Sequence, residues 1–367
     1  MIKIDGNYLE GGGQIVRTSL ALSALVQKGF EVSDIRKGRK DPGLKSQHLH
    51  GIKALQQLCN PEVEGAEIGS LNIKFLPRKL TSKNLDIDIG TAGSATLLMQ
   101  SLFLPCIFAS KPMTITITGG TDVSWSPSFD YMANVLVPHL QRFAKVEAKL
   151  LKRGYYPKGS GKIEIRINQK FKFNSFESFS EFQKNLNENV RQIELTEQHH
   201  LIQIKGISHA SSDLENTRVS ERQAHSAQEI LAKKYNVPIK ISSEYQNTLS
   251  TGSGITLWAI FSKNKEDIDE FNPIRIGCDR LGEKGIKAEL IGEETANSLI
   301  AEIESKAPAD SHLADQILPF MALLPGSSIK TSKITSHAMT NIYAIEQFLG
   351  SIFKTDEKTG IISANRQ

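Results

Sequence analysis

The sequence of 367 residues is poor in cysteine and has no long apolar stretch. Its three cysteines, Cys59, Cys106 and Cys278, are widely spaced and form no C-x-x-C pair, which argues against a disulfide framework and a structural zinc site. The longest apolar run, residues 97–109, is too short to span a bilayer. A strand-like pattern begins at residue 2 and leaves no room for a signal peptide, so we expect a cytoplasmic protein without a membrane partner.

The common nucleotide-binding and metalloprotease motifs are also missing. Residues 11–14, Gly-Gly-Gly-Gln, lack the Gly-Lys-Ser/Thr ending that a P-loop needs. The sequence contains no G-x-G-x-x-G and no H-E-x-x-H. These absences exclude the ordinary P-loop, dinucleotide-binding and zinc-protease classes.

The charge of the chain points weakly to an anionic partner. Hydrophobic residues make up 39% and charged residues 23%, which is typical of a soluble globular protein, and the net charge is +4. Basic residues cluster at Arg36, Lys37, Arg39, Lys40, Lys45 and Lys53, opposed only by Asp41. Such a cluster fits phosphate binding, although a solvated surface would give the same pattern.

A pattern of elements repeats three times along the chain. Each copy has a polar or glycine-rich lead-in, an apolar helix and a strand; the helices are predicted at 15–26, 95–109 and 312–324. A second, amphipathic helix follows in each copy, at 44–58, 129–143 and 339–349, and a strand closes it. The sequence therefore predicts an α+β fold, with a large domain of three βαβαββ-like repeats whose helices cover one face of a mixed sheet.

A different stretch separates the second and third copies. Residues 171–189 have no clean period and are interpreted as a linker. Strands at 200–207, 239–243 and 254–262 and a helix at 220–235 predict a small inserted α/β domain, closed by a charged linker at 263–270. The predicted division is 1–184 for the first two repeats, 185–274 for the inserted domain and 275–367 for the third repeat.

Seven local signatures occur in order along the chain. They are Glu10-Gly11-Gly12-Gly13-Gln14-Ile15-Val16-Arg17; Ile35-Arg36-Lys37-Gly38-Arg39 with Pro42-Gly43-Leu44; Gln47-His48; Gly119-Gly120-Thr121-Asp122; Gly154-Tyr155-Tyr156-Pro157 with Gly159-Ser160-Gly161; Leu313-Ala314-Asp315-Gln316; and His337-Ala338-Met339-Thr340-Asn341. Together they resemble the RNA 3′-terminal phosphate cyclases over nearly the whole chain.

The resemblance implies an ATP-dependent enzyme acting on RNA with a 3′-phosphate end. A histidine would attack the α-phosphorus of ATP, release pyrophosphate and carry AMP on its ring. AMP would then pass to the RNA 3′-phosphate. The adjacent 2′-hydroxyl would finally close a 2′,3′-cyclic phosphate and release AMP.

The motif places the nucleophile at His337. A neutral imidazole is abundant near pH 7, where it can act as a nucleophile. His337 also stands between a predicted strand and a predicted helix, where backbone N–H groups can hold phosphate.

The resemblance also implies the binding residues. Glu10 would be the ligand of Mg²⁺ or Mn²⁺, since a carboxylate is a hard oxygen ligand. RNA phosphates would be bound by Gln14, Arg17, Arg36, Arg39 and Gln47. ATP would be bound by Gln100, Pro127, His312, Asp315 and Gln316, with Pro127 and His312 flanking adenine.

Two observations concern stacking on nucleotide bases. Family members commonly have a tyrosine at the position of His312, and imidazole offers a smaller stacking face, which puts adenine selectivity in doubt. Trp125, Tyr155 and Tyr156 could stack on bases, although packing in the core or a loop is the more ordinary role of each.

Two alternative functions were weighed against the cyclase. A non-catalytic relative that binds precursor RNA during ribosome assembly would share the scaffold without the adenylylated histidine. The combination of His337 with Glu10, Arg17 and Arg39 favours the enzyme. An enolpyruvyl transferase uses similar repeated units, but the motifs do not match its lysine- and arginine-rich site.

Overall fold

A computed structural model of the chain describes residues 1–264 and 268–365. The middle of the predicted charged linker, 265–267, lies outside the described residues. The helices are α1 Gln14–Val26, α2 Ser46–Cys59, α3 Ala95–Ile107, α4 Phe129–Tyr131, α5 Val137–Leu140, α6 Phe179–Asn189, α7 Val219–Lys234, α8 Ala288–Glu304, α9 Ser311–Met321 and α10 Ser336–Leu349. The strands are β1 Ile2–Asp5, β2 Phe30–Ser33, β3 Glu62–Glu64, β4 Ile73–Leu76, β5 Leu85–Asp88, β6 Met113–Gly119, β7 Ala144–Lys152, β8 Gly161–Gln169, β9 Glu194–Leu195, β10 His200–Ser211, β11 Ile239–Gln246, β12 Ser253–Ser262, β13 Ile274–Leu281, β14 Ser328–Lys330, β15 Phe353–Asp356 and β16 Ile361–Ala364.

Three four-stranded sheets share one strand order. They run β1-β2-β4-β3, β5-β6-β8-β7 and β9-β14-β16-β15. In each, the first two strands are parallel and the other two neighbouring pairs are antiparallel. The prediction of an α+β fold with three βαβαββ-like repeats is therefore confirmed.

The helices of the repeats pack on one another as well as on their own sheets, because they carry apolar residues on more than one side. Strand β6 alternates buried and half-buried residues, so one face is packed and the other is partly open. Nearly all of α3 is buried, and Ser94 caps it by accepting a hydrogen bond from the backbone N–H of Leu97 at 3.1 Å. Helix α1 packs on α3 and α10, and α3 and α10 both contact α9.

The second helix of the middle repeat is interrupted. It consists of α4, a π-helical turn at Met132–Leu136, and α5. Pro138 has no backbone N–H to donate to the carbonyl of Asn134, which instead accepts from Arg275 Nη1 at 3.0 Å. One proline therefore accounts for the π-helical turn inside a helical segment that runs from 129 to 140, three residues shorter than the predicted helix at 129–143.

The predicted linker at 171–189 is wrong, because it contains a packed helix. Ser178 caps α6 by accepting from the backbone N–H of Glu181. Phe182 and Leu186 are buried one turn apart, and the ring of Phe182 lies edge-on to that of Phe108 at 5.1 Å between centroids. Only two residues of α6 are fully buried, so its period is weak in the sequence.

The fourth sheet belongs to the segment between β9 and α9. Its strand order is β11-β10-β12-β13, and helices α7 and α8 pack on it and on each other. Strand β9, which lies before this sheet in the chain, pairs with β14 of the third repeat, and β13 begins at Ile274. The domain division at 1–184, 185–274 and 275–367 stays a prediction.

Two remaining features concern the membrane and the thiols. Among the described residues, no helix has both the length and the apolar character needed to cross a bilayer. All three cysteines are free, and burial raises the pKa of the Cys59 thiol to about 12.

Candidate active site

Three predicted residues meet around one carboxylate. Oε1 of Glu10 lies 2.8 Å from Nη2 of Arg39 and 3.1 Å from Nε2 of His337. Glu10 stands in the loop before α1, and His337 is the second residue of α10, so the two ends of the chain form this contact. The His337 side chain is 49% exposed, which leaves its ring open to a ligand.

An aromatic pair holds these two segments together. The rings of Tyr8 and Tyr343 stack with centroids 3.9 Å apart, and the hydroxyl of Tyr343 accepts from the backbone N–H of Asp5 at 3.0 Å. Tyr8 comes two residues before Glu10, and Tyr343 lies on the same helix as His337. The pair therefore restricts how Glu10 and His337 approach each other.

A cavity lies where α1, α3, α9 and α10 converge. Five predicted residues line it: Gln14, Arg17, Gln100, Asp315 and Gln316. The structure thus brings residues expected at RNA together with residues expected at ATP.

Arg17 is the central cation of this cavity. Its Nε donates to Oε1 of Gln100 at 3.2 Å. Burial lowers the pKa of Arg17 to about 10, while the charge of Asp315 opposes that shift and the charge of Arg36 adds to it. Arg17 still carries its charge at neutral pH, so the cavity offers a largely desolvated cation to an anionic ligand.

Asp315 provides the opposite charge. Its backbone carbonyl accepts from Asn341 Nδ2 at 3.2 Å, and its carboxylate accepts from the same amide. Burial raises the pKa of Asp315, and the neighbouring charges of His337 and Arg17 work against that rise. Asp315 therefore connects the cavity electrostatically to the half-exposed His337.

The glycine-rich loop leaves unpaired donors beside the cavity. A Cβ on Gly13 would lie 2.2 Å from Nε2 of His48, so only glycine allows this approach. Within the described residues, Nε2 of His48 and Nε2 of Gln14 are buried without a hydrogen-bond partner. Two unsatisfied buried polar groups at the start of a helix are suited to an anion such as phosphate.

The ring of His48 has a defined donor. Its Nδ1 accepts from the backbone N–H of Lys45 at 3.0 Å, which places the proton of a neutral ring on Nε2. Burial and the charges of Arg17 and Arg36 lower the pKa of His48 well below its usual range. His48 is therefore a neutral donor toward the loop. His48 belongs to the Gln47-His48 signature, which is the only sequence signal for this role.

Arg36 and Gln47 lie at the edge of the same region but are engaged with backbone. Nη1 of Arg36 donates to the carbonyls of Asp41 and Gly43 at 2.7 and 3.1 Å. Burial lowers the pKa of Arg36, and the charge of Arg39 lowers it further. Oε1 of Gln47 accepts from the backbone N–H of Ser94, at the start of α3, at 3.2 Å.

Pro127 and His312 are placed by different elements. The carbonyl of Pro127 accepts from Oγ1 of Thr96 on α3 at 2.8 Å. His312 is the second residue of α9 and lies edge-on to Tyr131 with ring centroids 6.2 Å apart. Gln316 Nε2 donates to the carbonyl of His312 at 3.1 Å. Among the described residues, no hydrogen bond or ring contact joins Pro127 to His312.

A buried carboxylate faces His312. Oδ2 of Asp279 accepts from the backbone N–H of Ser128 at 3.1 Å. Burial raises the pKa of Asp279 to about 6, and the nearby His312 acts in the opposite direction. Asp279 lies on β13, in a stretch without any of the quoted signatures, so the sequence offered no signal for it.

A second group of titratable residues is structural. Asp122, Asp130 and His209 have ligand atoms within 4.8 Å of one another. The guanidinium of Arg153 already binds both carboxylates, at 3.1 and 2.7 Å. The Tyr155 hydroxyl is hydrogen-bonded to Nδ1 of His209 at 2.7 Å. These contacts satisfy the groups as an ion network, so this is a poor metal site and Tyr155 is a packing residue.

Glu10 fits a divalent ion better. Its side chain is 27% exposed, and a single carboxylate is a typical protein contribution to Mg²⁺ held mainly by water and substrate phosphates. The unpaired buried donors of Gln14 and His48 are suited to a phosphate, which is the kind of anion that such an ion would also contact.

Comparisons with known proteins identify the family of the chain. The sequence matches the profile of a family described as RNA 3′-terminal phosphate cyclase over residues 8–355. It is 41% identical to an RNA 3′-terminal phosphate cyclase of Pyrococcus abyssi, over 98% of this chain and 96% of that protein. It is 40% identical to one from Archaeoglobus fulgidus, covering 99% and 100%, and 41% identical to one from Methanosarcina acetivorans, covering 100% and 99%.

Proposed function

The chain belongs to the RNA 3′-terminal phosphate cyclase family, and from this premise we propose that it converts an RNA 3′-phosphate to a 2′,3′-cyclic phosphate through AMP carried on His337. The observation that carries the proposal is the contact of His337 Nε2 with Glu10, 3.1 Å away, beside the Arg39 guanidinium. A nucleophile, a metal-binding carboxylate and a phosphate-binding cation thereby share one open position.

His337 performs the first transfer. Its Nε2 attacks the α-phosphorus of ATP, the phosphorus–nitrogen bond forms and the bond to pyrophosphate breaks. Attack needs an unprotonated nitrogen, and the Glu10 carboxylate stands where the Nε2 proton can be accepted. A divalent ion bound by Glu10 would neutralise phosphate charge.

The cavity residues orient the phosphates. Arg17 and the donors of Gln14 and His48 bind them, and Asp315 holds Arg17 and Asn341 in place. An RNA phosphate oxygen then attacks the α-phosphorus and releases His337. The ribose 2′-hydroxyl finally attacks the RNA phosphorus, AMP leaves and the ring closes.

Adenine would lie by Pro127 and His312. His312 is exposed at the start of α9, and Gln316 and Asp315 come from the same helix. With imidazole as the stacking face, the base is held by a smaller surface than a phenol ring would offer.

The test is covalent labelling with α-labelled ATP. His337→Ala and His337→Asn should both lose the acid-labile protein–AMP adduct and cyclisation together, because neither can form a phosphoramidate. His312→Ala serves as the histidine control, and should raise the ATP requirement while keeping the adduct at saturating ATP. If His337→Ala still becomes labelled while His312→Ala does not, the nucleophile is assigned wrongly.

A further inference from the structure

Three loops converge beside Gln47. The backbone N–H of Gly120 donates to the carbonyl of Gly93 at 2.8 Å, and the N–H of Thr121 donates to Gly154 at 3.0 Å. A Cβ on Gly159 would lie 2.7 Å from Cα of Ala92, so residues 154–161 pack closely on residues 91–93. The next residue, Ser94, is the one that binds Gln47. The loops at 90–94, 119–128 and 154–161 thus form one surface next to a proposed RNA contact.

Two aromatic side chains on this surface are left in water. Trp125 is 98% exposed and Tyr156 is 75% exposed, whereas Trp258 and Tyr155 are only 5% and 3% exposed. The structure therefore excludes core packing for Trp125 and Tyr156, the more ordinary role expected from the sequence. A single exposed aromatic ring needs no explanation, but two such rings on loops joined by hydrogen bonds offer a place where a partner can stack.

The exposure of Trp125 is imposed by an ordered loop. Trp125 has φ +65°, a left-handed conformation that is unfavourable for a bulky residue. The base of its loop is closed by the N–H of Phe129 donating to Thr121 at 3.1 Å, and its tip by Ser126 Oγ donating to Val123 at 2.8 Å. The strained backbone of Trp125 holds its ring in solvent, and the ring gains no packing against the protein that would offset this strain.

Charge near the second ring favours a nucleic acid. Lys158 is exposed two residues after Tyr156, and its backbone N–H donates to Oγ of Ser250 at 3.0 Å. Ser250 belongs to the loop between β11 and β12, so the fourth sheet supports this part of the surface. An aromatic ring with an adjacent cation matches the base and the phosphate of a single strand.

We propose that Trp125 and Tyr156 form a stacking surface for bases of the RNA strand that precede its 3′-phosphate. The proposal rests on the proposed function, because it concerns the same substrate. The residues expected at the RNA phosphates, Gln14, Arg17, Arg36, Arg39 and Gln47, offer no aromatic face. Adenine already has Pro127 and His312, so an RNA base is the occupant that lacks a stacking partner.

Binding of RNA without ATP tests the proposal. The probe is a short labelled RNA with a 3′-phosphate, and its dissociation constant is measured by fluorescence anisotropy. Trp125→Leu should weaken binding by about fivefold or more, since one base stacked on an aromatic ring strengthens binding by at least about that factor. Trp125→Phe keeps an aromatic ring and should recover part of the loss. Phe271→Leu, which changes an aromatic ring 50% exposed elsewhere, is the matched control and should bind normally.

A base deletion identifies the occupant. An RNA abasic at its last two positions should bind the wild type at least as weakly as intact RNA binds Trp125→Leu, and Trp125→Leu should cause no further loss with the abasic RNA. Equal RNA affinity of Trp125→Leu and wild type would overturn the proposal. A raised ATP requirement for self-adenylylation with unchanged RNA affinity would also overturn it, by assigning Trp125 to adenine. Because no ATP is present in the binding assay, failure of the histidyl-AMP chemistry would be seen separately, as missing label on the wild type.

Discussion

If Glu10 binds the proposed divalent ion, Arg39 and that ion compete for the same carboxylate oxygen. The structure pairs Oε1 of Glu10 with Arg39 at 2.8 Å, so an ion that binds this carboxylate must displace or share the guanidinium. Arg39→Ala should therefore lower the concentration of Mg²⁺ or Mn²⁺ that gives half-maximal self-adenylylation. The same change should weaken the later RNA step, because Arg39 is also the proposed phosphate ligand.

The size of both effects follows from exposure and charge. The Arg39 and Glu10 side chains are 40% and 27% exposed. Ion pairs at such exposure are worth about 0.2–1 kcal/mol, so the metal requirement should fall by about 1.4- to 5-fold. A charge-assisted phosphate contact is worth about 1.5–3 kcal/mol, so cyclisation at limiting RNA should fall by about tenfold or more.

The assay follows protein–AMP formation against metal concentration at saturating ATP. Lys37→Ala is the control, because this substitution also removes one positive charge nearby. Lys37 pairs with Asp34 at 3.2 Å rather than with Glu10. Its metal requirement should stay at the wild-type value. An unchanged or higher requirement in Arg39→Ala would refute the competition, and normal cyclisation at limiting RNA would refute the phosphate role.

Two further predictions concern positioning and pH. Tyr343→Leu removes the ring stacked on Tyr8 and should slow self-adenylylation by about 2- to 12-fold, since an aromatic pair is worth about 0.5–1.5 kcal/mol. Tyr343→Phe keeps the ring and should lose less activity. A wild-type rate in Tyr343→Leu would show that the pair does not position Glu10. Burial raises the pKa of Asp279 to about 6 in the folded protein, above its value near 3.9 in the unfolded chain. The protonated carboxyl therefore stabilises the folded state fully below about pH 3.9, and this stabilisation is lost as the pH rises through about 6. When the pH is raised from 4 to 7, Asp279→Asn should gain about 2 kcal/mol in unfolding free energy relative to the wild type. Urea unfolding at the two pH values measures this difference, and a constant difference would contradict the assignment.

The repeats could be predicted because their helices carry strong local signals. Helix α1 is entirely buried and α3 almost so, and both follow glycine-rich turns that mark their starts. The first strand of the third repeat could not be found in the same way. Strand β9 has two residues, and its partner β14 lies more than a hundred residues away, so only tertiary pairing defines it.

Helix α8 shows a signal that was present and not used. Ile291, Leu299 and Ile303 recur at helical spacing and are buried. Gly292 lies where a Cβ would come 2.1 Å from the carbonyl of Gln223 on α7, so the two helices touch through a glycine. Small residues such as Gly292 and Ala296 lie on the buried face, which makes the apolar stripe of this helix less pronounced.

The site residues could be chosen from motifs, but their contacts could not. His337 and Glu10 are far apart in the chain, and no local pattern indicates that one carboxylate would serve both His337 and Arg39. Trp125 is the opposite case: its type and position were visible, but only the structure shows that its ring is almost fully exposed. Exposure and partner choice depend on how separate repeats pack, which a single sequence does not encode locally.

The packing of the repeats explains why the polar residues meet. The first helix of every repeat reaches the same cavity: Arg17 lies on α1, Gln100 on α3 and Asp315 on α9. The Arg17–Gln100 hydrogen bond and the Arg17–Asp315 attraction each join two different repeats. None of the three repeats can bury its own polar group favourably alone, because the hydrogen-bond or charge partner of that group lies on another repeat. The proposed phosphate binding therefore requires all three repeats to be assembled, and the adjoining contact between Glu10 and His337 forms across the same interface of α1 and α10.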